Sequence, residues 1–191
     1  MKRKRRDEQK IKIVIAVVTI IFLLSSSIIL FNTSTDDEIT INGTKFRGEN
    51  DYYVAKINGN NVRFYSLPYE ASYLNISKAI LEKISNSKMV ILTFDPDQED
   101  LMYIDFIRFE LAEELAKKNI YPITGITKES SIYQLPVFTC KNASSYTPVI
   151  EFFSSNKTNI FMNQSCIHIE GKGPELVLIR DKLIYGIYGL I

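Results

Sequence analysis

Uncharged residues run without a break from Ile13 to Phe31, nineteen in all. A run of that length is long enough to cross a bilayer as a helix and costly to leave in water. Beyond it the pattern changes to short β-rich runs and helical stripes. Tyr52 to Ile57 and Val62 to Leu67 flank Asn58-Gly59-Asn60-Asn61, a turn signal, so they predict a hairpin that Pro68 ends. Leu74, Ala79, Ile80, Lys83 and Ile84 follow at helical spacing. Met89 to Phe94 is nearly unbroken apolar sequence, the pattern of a strand covered on both faces. Asp97 then stands as an N-cap, with Glu99 and Asp100 suited to the first turn of a helix reaching about Lys118. Leu101, Ile104, Ile107, Leu111 and Leu115 make one stripe on it. Met102, Phe106, Phe109 and Ala112 make a second, which calls for another element or a partner.

β character resumes from Asn119 to Ile126, where Pro122 points to an edge or a bulge. Pro136 to Cys140 predicts a short strand. Val149 to Phe153 and Thr158 to Ile169 predict a β-meander turning at Ser154 to Lys157. Pro174 opens a last helix whose Leu176, Ile179, Leu183, Ile187 and Leu190 recur every three or four residues. The strand–helix–strand step from Met89 to Ile126 implies a parallel pair with a right-handed crossover. The expected fold is therefore α/β or α+β: one sandwich on a mixed sheet of five to seven strands, with hairpins added antiparallel at either end.

Charge orients the apolar run. The first twelve residues hold seven basic and two acidic side chains, a net of +5 within a chain of +1. Positive flanks stay cytoplasmic, so residues 1–12 read as a cytoplasmic tail and 13–31 as a transmembrane helix in the lipid bilayer. Residues 32–45 then read as a linker and 46–191 as one extracytoplasmic domain at the cell membrane. No small-x-small cleavage site follows the run, which favours an uncleaved anchor over a secretory signal. The remainder sums to −4, which argues against a nucleic-acid partner.

An outer location sets expectations for the cysteines and asparagines. Cys140 and Cys166 are the only cysteines, and an oxidising compartment pairs them as a structural disulfide. Closing a loop of that length contributes about 3 kcal/mol in the chain-entropy picture. Six N-glycan acceptor sites, at Asn32, Asn42, Asn75, Asn142, Asn156 and Asn163, all follow the apolar run and imply a glycoprotein.

Candidate chemistry is sparse. Phe94-Asp95-Pro96-Asp97 ends an apolar strand and resembles the first motif of haloacid-dehalogenase-type phosphotransferases. That resemblance implies Asp95 as nucleophile, Asp97 as acid/base and Mg²⁺ between them. The family's Gly-Thr after the second Asp is Gln98-Glu99 here. Asp95, Asp97, Glu99 and Asp100 lack EF-hand spacing, which leaves only an irregular oxygen site. His168, the sole histidine, shares a strand face with Cys166 and Glu170, a pairing able to bind metal or shuttle a proton. Gly171-Lys172-Gly173-Pro174 stands where a helix N-terminus could cradle an anion, without Walker or dinucleotide spacing.

The segments Cys140-Lys141-Asn142-Ala143, Pro148-Val149-Ile150, Cys166-Ile167-His168-Ile169-Glu170-Gly171 and Asp181-Lys182-Leu183-Ile184-Tyr185-Gly186-Ile187-Tyr188-Gly189 resemble uncharacterised signal-anchored archaeal proteins. The resemblance implies an extracytoplasmic α/β domain at the cell surface and no particular activity. The expected function is a non-catalytic module, without cofactor, that binds or scaffolds another envelope protein or glycan. The alternatives are a divalent-metal-dependent phosphohydrolase-like enzyme using Asp95 and Asp97, and a pilin-like assembly subunit.

Overall fold

The structure, a computed structural model, describes residues 17–20 and 38–191. Val17 to Ile20 are helical and exposed. Most of the expected span 13–31 lies outside the described residues, as do the basic tail and Asn32. Among the described residues no helix is long and apolar enough to cross a membrane.

Residues 38–191 form one α/β unit with two sheets. β1 (Glu38–Ile41), β2 (Thr44–Glu49), β3 (Tyr52–Ile57) and β4 (Asn60–Phe64) make an antiparallel meander. The chain then runs through α1 (Lys78–Ser85), β5 (Met89–Phe94), α2 (Leu101–Lys117), β6 (Tyr121–Thr124), β7 (Val149–Ser154), β8 (Asn159–Asn163), β9 (Cys166–Gly171) and α3 (Pro174–Ile187). The second sheet has the order β6-β5-β7-β9-β8. All its neighbours are parallel except β8, which runs antiparallel to β9.

Several expectations need correction. The early hairpin does not extend the mixed sheet but belongs to a separate meander. Its turn is tighter than expected, because Asn58 and Gly59 both take positive φ (51° and 86°) and close a two-residue connection. β1 and the start of β2 fall within residues 32–45, the stretch read as linker. Strands β7, β8 and β9 are no meander: β9 lies between the other two, so β7 and β9 pair in parallel. Pro136 to Cys140 holds one isolated bridge, Ile126 to Val137, and then a 3₁₀ turn at Cys140–Asn142. Helix α2 begins at Leu101, so Asp97 caps nothing, and residues 95–100 form a turn with Asp100 left-handed at φ 56°. Pro122 does sit in an edge strand, β6.

The layers explain the helix patterns. α3 is apolar around most of its circumference because sheets lie on both sides of it. On one side Tyr185 stacks on Phe64 of β4 with ring centroids 4.3 Å apart, and meets Phe46 of β2 edge-on at 6.2 Å. On the other, Leu176 and Ile179 lie so close to Gly171 of β9 that a Cβ there would come within 3.2 Å of each. α2 lies beside α3 on the same sheet face, burying Ile104, Ile107, Leu111 and Leu115.

Polar groups also bind the layers. Asp181, fully buried in α3, accepts hydrogen bonds from the backbone N–H groups of Tyr65 and Ser66 at 2.7 Å each, and from the Ser66 hydroxyl at 2.9 Å. Arg180, 1% exposed, donates to the Asp181 carboxylate at 2.7 Å, to the Arg63 carbonyl at 2.6 Å and to Glu110 of α2 at 3.4 Å. Burial pushes the Asp181 carboxyl up, while Arg180, Ser66 and the Tyr65 N–H pull it down. Removing one partner from such a set strands the others without water. Asp181→Ala should therefore cost about 3–5 kcal/mol in urea denaturation. A loss within ordinary surface scatter, about 0.5 kcal/mol, would show that the buried cluster does not join the layers.

Candidate functional site

Strand alternation directs the polar side chains of the second sheet onto the face away from α2 and α3. The register places Ile91, Val149 and Cys166 in one row across β5, β7 and β9, and Thr93, Glu151 and His168 in the next. Phe161 of β8 stands opposite His168. A strap, residues 127–148, first packs beside α2, where the Tyr133 hydroxyl donates to Asp105 at 2.6 Å, and then crosses this face. Ile123, Phe138, Cys140 and Ala143 pack on the first row and make a small second core. Thr93 is buried and donates to the Phe138 carbonyl at 2.8 Å, which satisfies its hydroxyl. The strap's 3₁₀ turn is closed reciprocally: Lys141 N–H donates to Thr139 Oγ1 at 3.3 Å, and Thr139 N–H to Asn142 Oδ1 at 2.9 Å.

Cys140 and Cys166 are joined as a disulfide with Cα atoms 5.3 Å apart, as expected, and it stitches the strap to β9. Glu151 Oε2 lies 2.9 Å from Cys140 Sγ, and His168 Nε2 lies 3.6 Å from it. One ligand-capable atom from each of Cys140, Glu151, Cys166 and His168 falls within 4.8 Å of every other. The His168 ring is held between Phe153 and Phe161, nearly parallel to both, with centroids at 5.6 and 4.7 Å. Burial, and then the charge of Asp95, push the Glu151 carboxyl above its usual range. Burial pushes the His168 imidazole below its usual value, opposed by Glu170. An open groove of about 490 Å³ runs over Cys140, Cys166 and His168. Another groove, about 700 Å³, lies elsewhere, between α1 and α3.

The Asp-x-Asp segment sits at the C-terminal end of β5. There the chain leaves β5 toward β6 on one side and β7 toward β9 on the other, the switch point at which open α/β sheets bind ligands. Lys128, just past β6, places Nζ 2.9 Å from Asp95 Oδ1 and 2.9 Å from Asp97 Oδ2. Burial raises the Asp95 carboxyl, but Lys128 and the Asp97 N–H outweigh it and leave the group below its ordinary value. Asp95 and Asp97 in turn raise the Lys128 ammonium. The neighbouring acids diverge. Asp100 accepts from the Ser154 hydroxyl at 2.6 Å, and Glu99 meets Lys172 at 3.4 Å. Gln98 lies along the end of β7, donating to the Phe152 carbonyl at 3.0 Å and accepting from Ser154 N–H at 2.8 Å. The irregular oxygen site is thus dispersed among separate partners. Lys172 of the glycine turn is likewise committed to Glu99.

Two participants escaped the sequence reading. Glu151 is a lone charge inside the apolar run Val149 to Phe153, which was the available signal. Lys128 carried none, because only the tertiary fold brings it to β5. Conversely, Glu170 follows His168 on its strand face, yet the carboxylate that reaches the sulfur–imidazole cluster is Glu151. Asn42, Asn75, Asn142, Asn156 and Asn163 are all exposed. On α2, Met102, Phe106 and Phe109 are 74%, 37% and 59% exposed. No family model, curated protein or solved structure matches the chain.

The two shifted groups act in opposite directions on stability. The folded state holds the His168 proton less tightly than the usual 6.5, so its contribution is full above pH 6.5 and is lost as pH falls through the folded value. Glu151 holds its proton more tightly than the usual 4.5, so its contribution is full below pH 4.5 and is lost as pH rises through the folded value. Urea denaturation of the oxidised chain, with chelator present, should separate them between about pH 4.5 and 6.5. Relative to wild type, His168→Phe should gain stability toward the acid end, and Glu151→Gln toward the neutral end. Parallel curves for all three proteins would refute both assignments.

Proposed function

We propose that this protein is a membrane-tethered extracytoplasmic module that docks another protein of the same envelope through α2, without catalysis. The observation that carries the reading is the line of Met102, Phe106 and Phe109. These residues recur at i, i+4 and i+7 on a single helix face; Met102 and Phe109 lie open to solvent, and Phe106 is 37% exposed beside Tyr65. Soluble surfaces seldom leave large side chains in such a row, and aromatic and Met side chains dominate the buried centres of interfaces. Glu113 continues the same line one turn on. Residues 38–191 carry 18 acidic and 16 basic side chains. The surface thus complements an apolar cleft with a basic lip, and charge at the rim of such a contact guides association. The uncharged run 13–31, the basic flank, the disulfide and the exposed acceptor asparagines support placement outside the membrane.

A photo-crosslinking residue at position 109 in intact cells should yield one protein adduct, and one at Asn58 none. Met102→Glu should lower the adduct at least tenfold, with stability unchanged within about 0.5 kcal/mol. An adduct of two copies of this chain, an adduct to lipid, or equal labelling at both positions would overturn the reading.

One observation favours a second reading, a Mg²⁺-dependent phosphohydrolase built on Asp95 and Asp97. Lys128 joins both carboxylates at a parallel-strand end, the kind of place where such chemistry is performed. Against it, one ammonium already occupies both carboxylates. The docking reading expects no Mg²⁺-stimulated hydrolysis of p-nitrophenyl phosphate by the full chain. Turnover that Asp95→Asn abolishes would replace it.

A further inference from the structure

The geometry points to a second state of the disulfide cluster: in its dithiol form, Cys140, Cys166, His168 and Glu151 hold one Zn²⁺, and the disulfide is the metal-free form. The ligand set is two thiolates, one imidazole and one carboxylate, each a known donor to four-coordinate zinc. Three of the four project from adjacent parallel strands on one face, with Glu151 directly paired to His168 and Cys166 one row away. Their spacing needs little adjustment. Bond lengths to zinc of about 2.3 Å for sulfur and about 2.0–2.1 Å for nitrogen place tetrahedral S and N donors about 3.6 Å apart. Cys140 Sγ and His168 Nε2 are already 3.6 Å apart. The same geometry puts two sulfurs about 3.8 Å apart. The Cys140–Cys166 Cα separation is 5.3 Å, and the strap that carries Cys140 has an open groove beside it in which to shift.

Two further features belong to a metal site more than to a plain cross-link. The stack of Phe153, His168 and Phe161 fixes the imidazole plane, as supporting residues around a metal do. Glu151, half-buried, presses an oxygen to within 2.9 Å of Cys140 Sγ. A sulfur in a disulfide has no hydrogen to donate to that oxygen. A thiol would donate one, and a thiolate with zinc beside it would share the metal with it.

The chemistry balances. A dithiol reductant delivers two electrons and two protons. The S–S bond breaks, two protein thiols form, and the reductant leaves as its own disulfide. Zn²⁺ then displaces both thiol protons to solvent and binds two thiolates, a neutral imidazole and a carboxylate. In vitro a phosphine performs the first step with water, leaving as its oxide.

The test uses the full chain in detergent, reduced with a phosphine, freed of it, and titrated with zinc against a chromophoric chelator. The reduced chain should take up one zinc, at least 100-fold more tightly than the oxidised chain. Cobalt in its place should give the intense visible absorption of a tetrahedral thiolate site. His168→Ala and Glu151→Gln should each weaken zinc by at least the roughly tenfold that losing a supporting residue costs, while leaving two titratable thiols. If reduction unfolds the chain, zinc should restore its circular dichroism. A reduced chain that binds zinc no more tightly than the oxidised one, that zinc fails to refold, or whose affinity ignores both variants would overturn the proposal. None of these results bears on docking through α2, so the two readings fail separately.

Discussion

The architecture depends on a charged group being at home in the middle of the molecule. Asp181 and Arg180 occupy adjacent positions on α3, between two sheets, where neither can reach water. Each is tolerable only because the other layers supply partners: backbone N–H groups past the end of β4 for the carboxylate, and the Arg63 carbonyl and α2's Glu110 for the guanidinium. Apolar packing would allow the meander to slide over α3. Directed hydrogen bonds at fixed points do not, so this cluster sets the register between layers as well as joining them. The Tyr185 hydroxyl, which donates to the Ser66 carbonyl, adds another fixed point on the same segment.

Elements with one strong local signal were legible in the sequence. Six residues of β5, the Pro-started α3 and the Asn58-Gly59 turn announce themselves through patterns only a few residues long. What was not legible depends on which elements meet. Nothing in Tyr52 to Phe64 says that its hairpin closes a separate meander over α3, because a half-buried strand alternates the same way whatever covers it. The order β7-β9-β8 was hidden for a related reason. A tight connection joins β7 to β8, but the turn between them does not dictate that β9 takes the place beside β7. Asp97 was misread as a cap because its side-chain chemistry suits one, whereas three more residues, ending in the left-handed Asp100, intervene before the helix starts at Leu101.

The chemistry divides along the same line. Cys140 and Cys166 were legible as a pair since there were only two, and the disulfide bears that out. Glu151 and Lys128 became visible only when parallel pairing set residues from distant parts of the chain side by side: Thr93, Glu151 and His168 across three strands, and Lys128 beyond a fourth. Both polar clusters share one sheet face and one strap, and Asp95 is close enough to influence the Glu151 carboxyl. The two clusters are therefore electrostatically linked neighbours. A change of charge at the strand end would be felt at Glu151.

The all-round burial of α3 bears on how the chain is made. This helix is the layer on which the meander and the mixed sheet both close, yet it is synthesised after every other element described. Until residues 174–187 have emerged from the ribosome, the meander has no surface to rest on and the mixed sheet is covered by α2 alone. Cooperative folding must then await that last stretch. A chain held unfolded for that long is one that a translocation channel, which admits only extended polypeptide, could still thread.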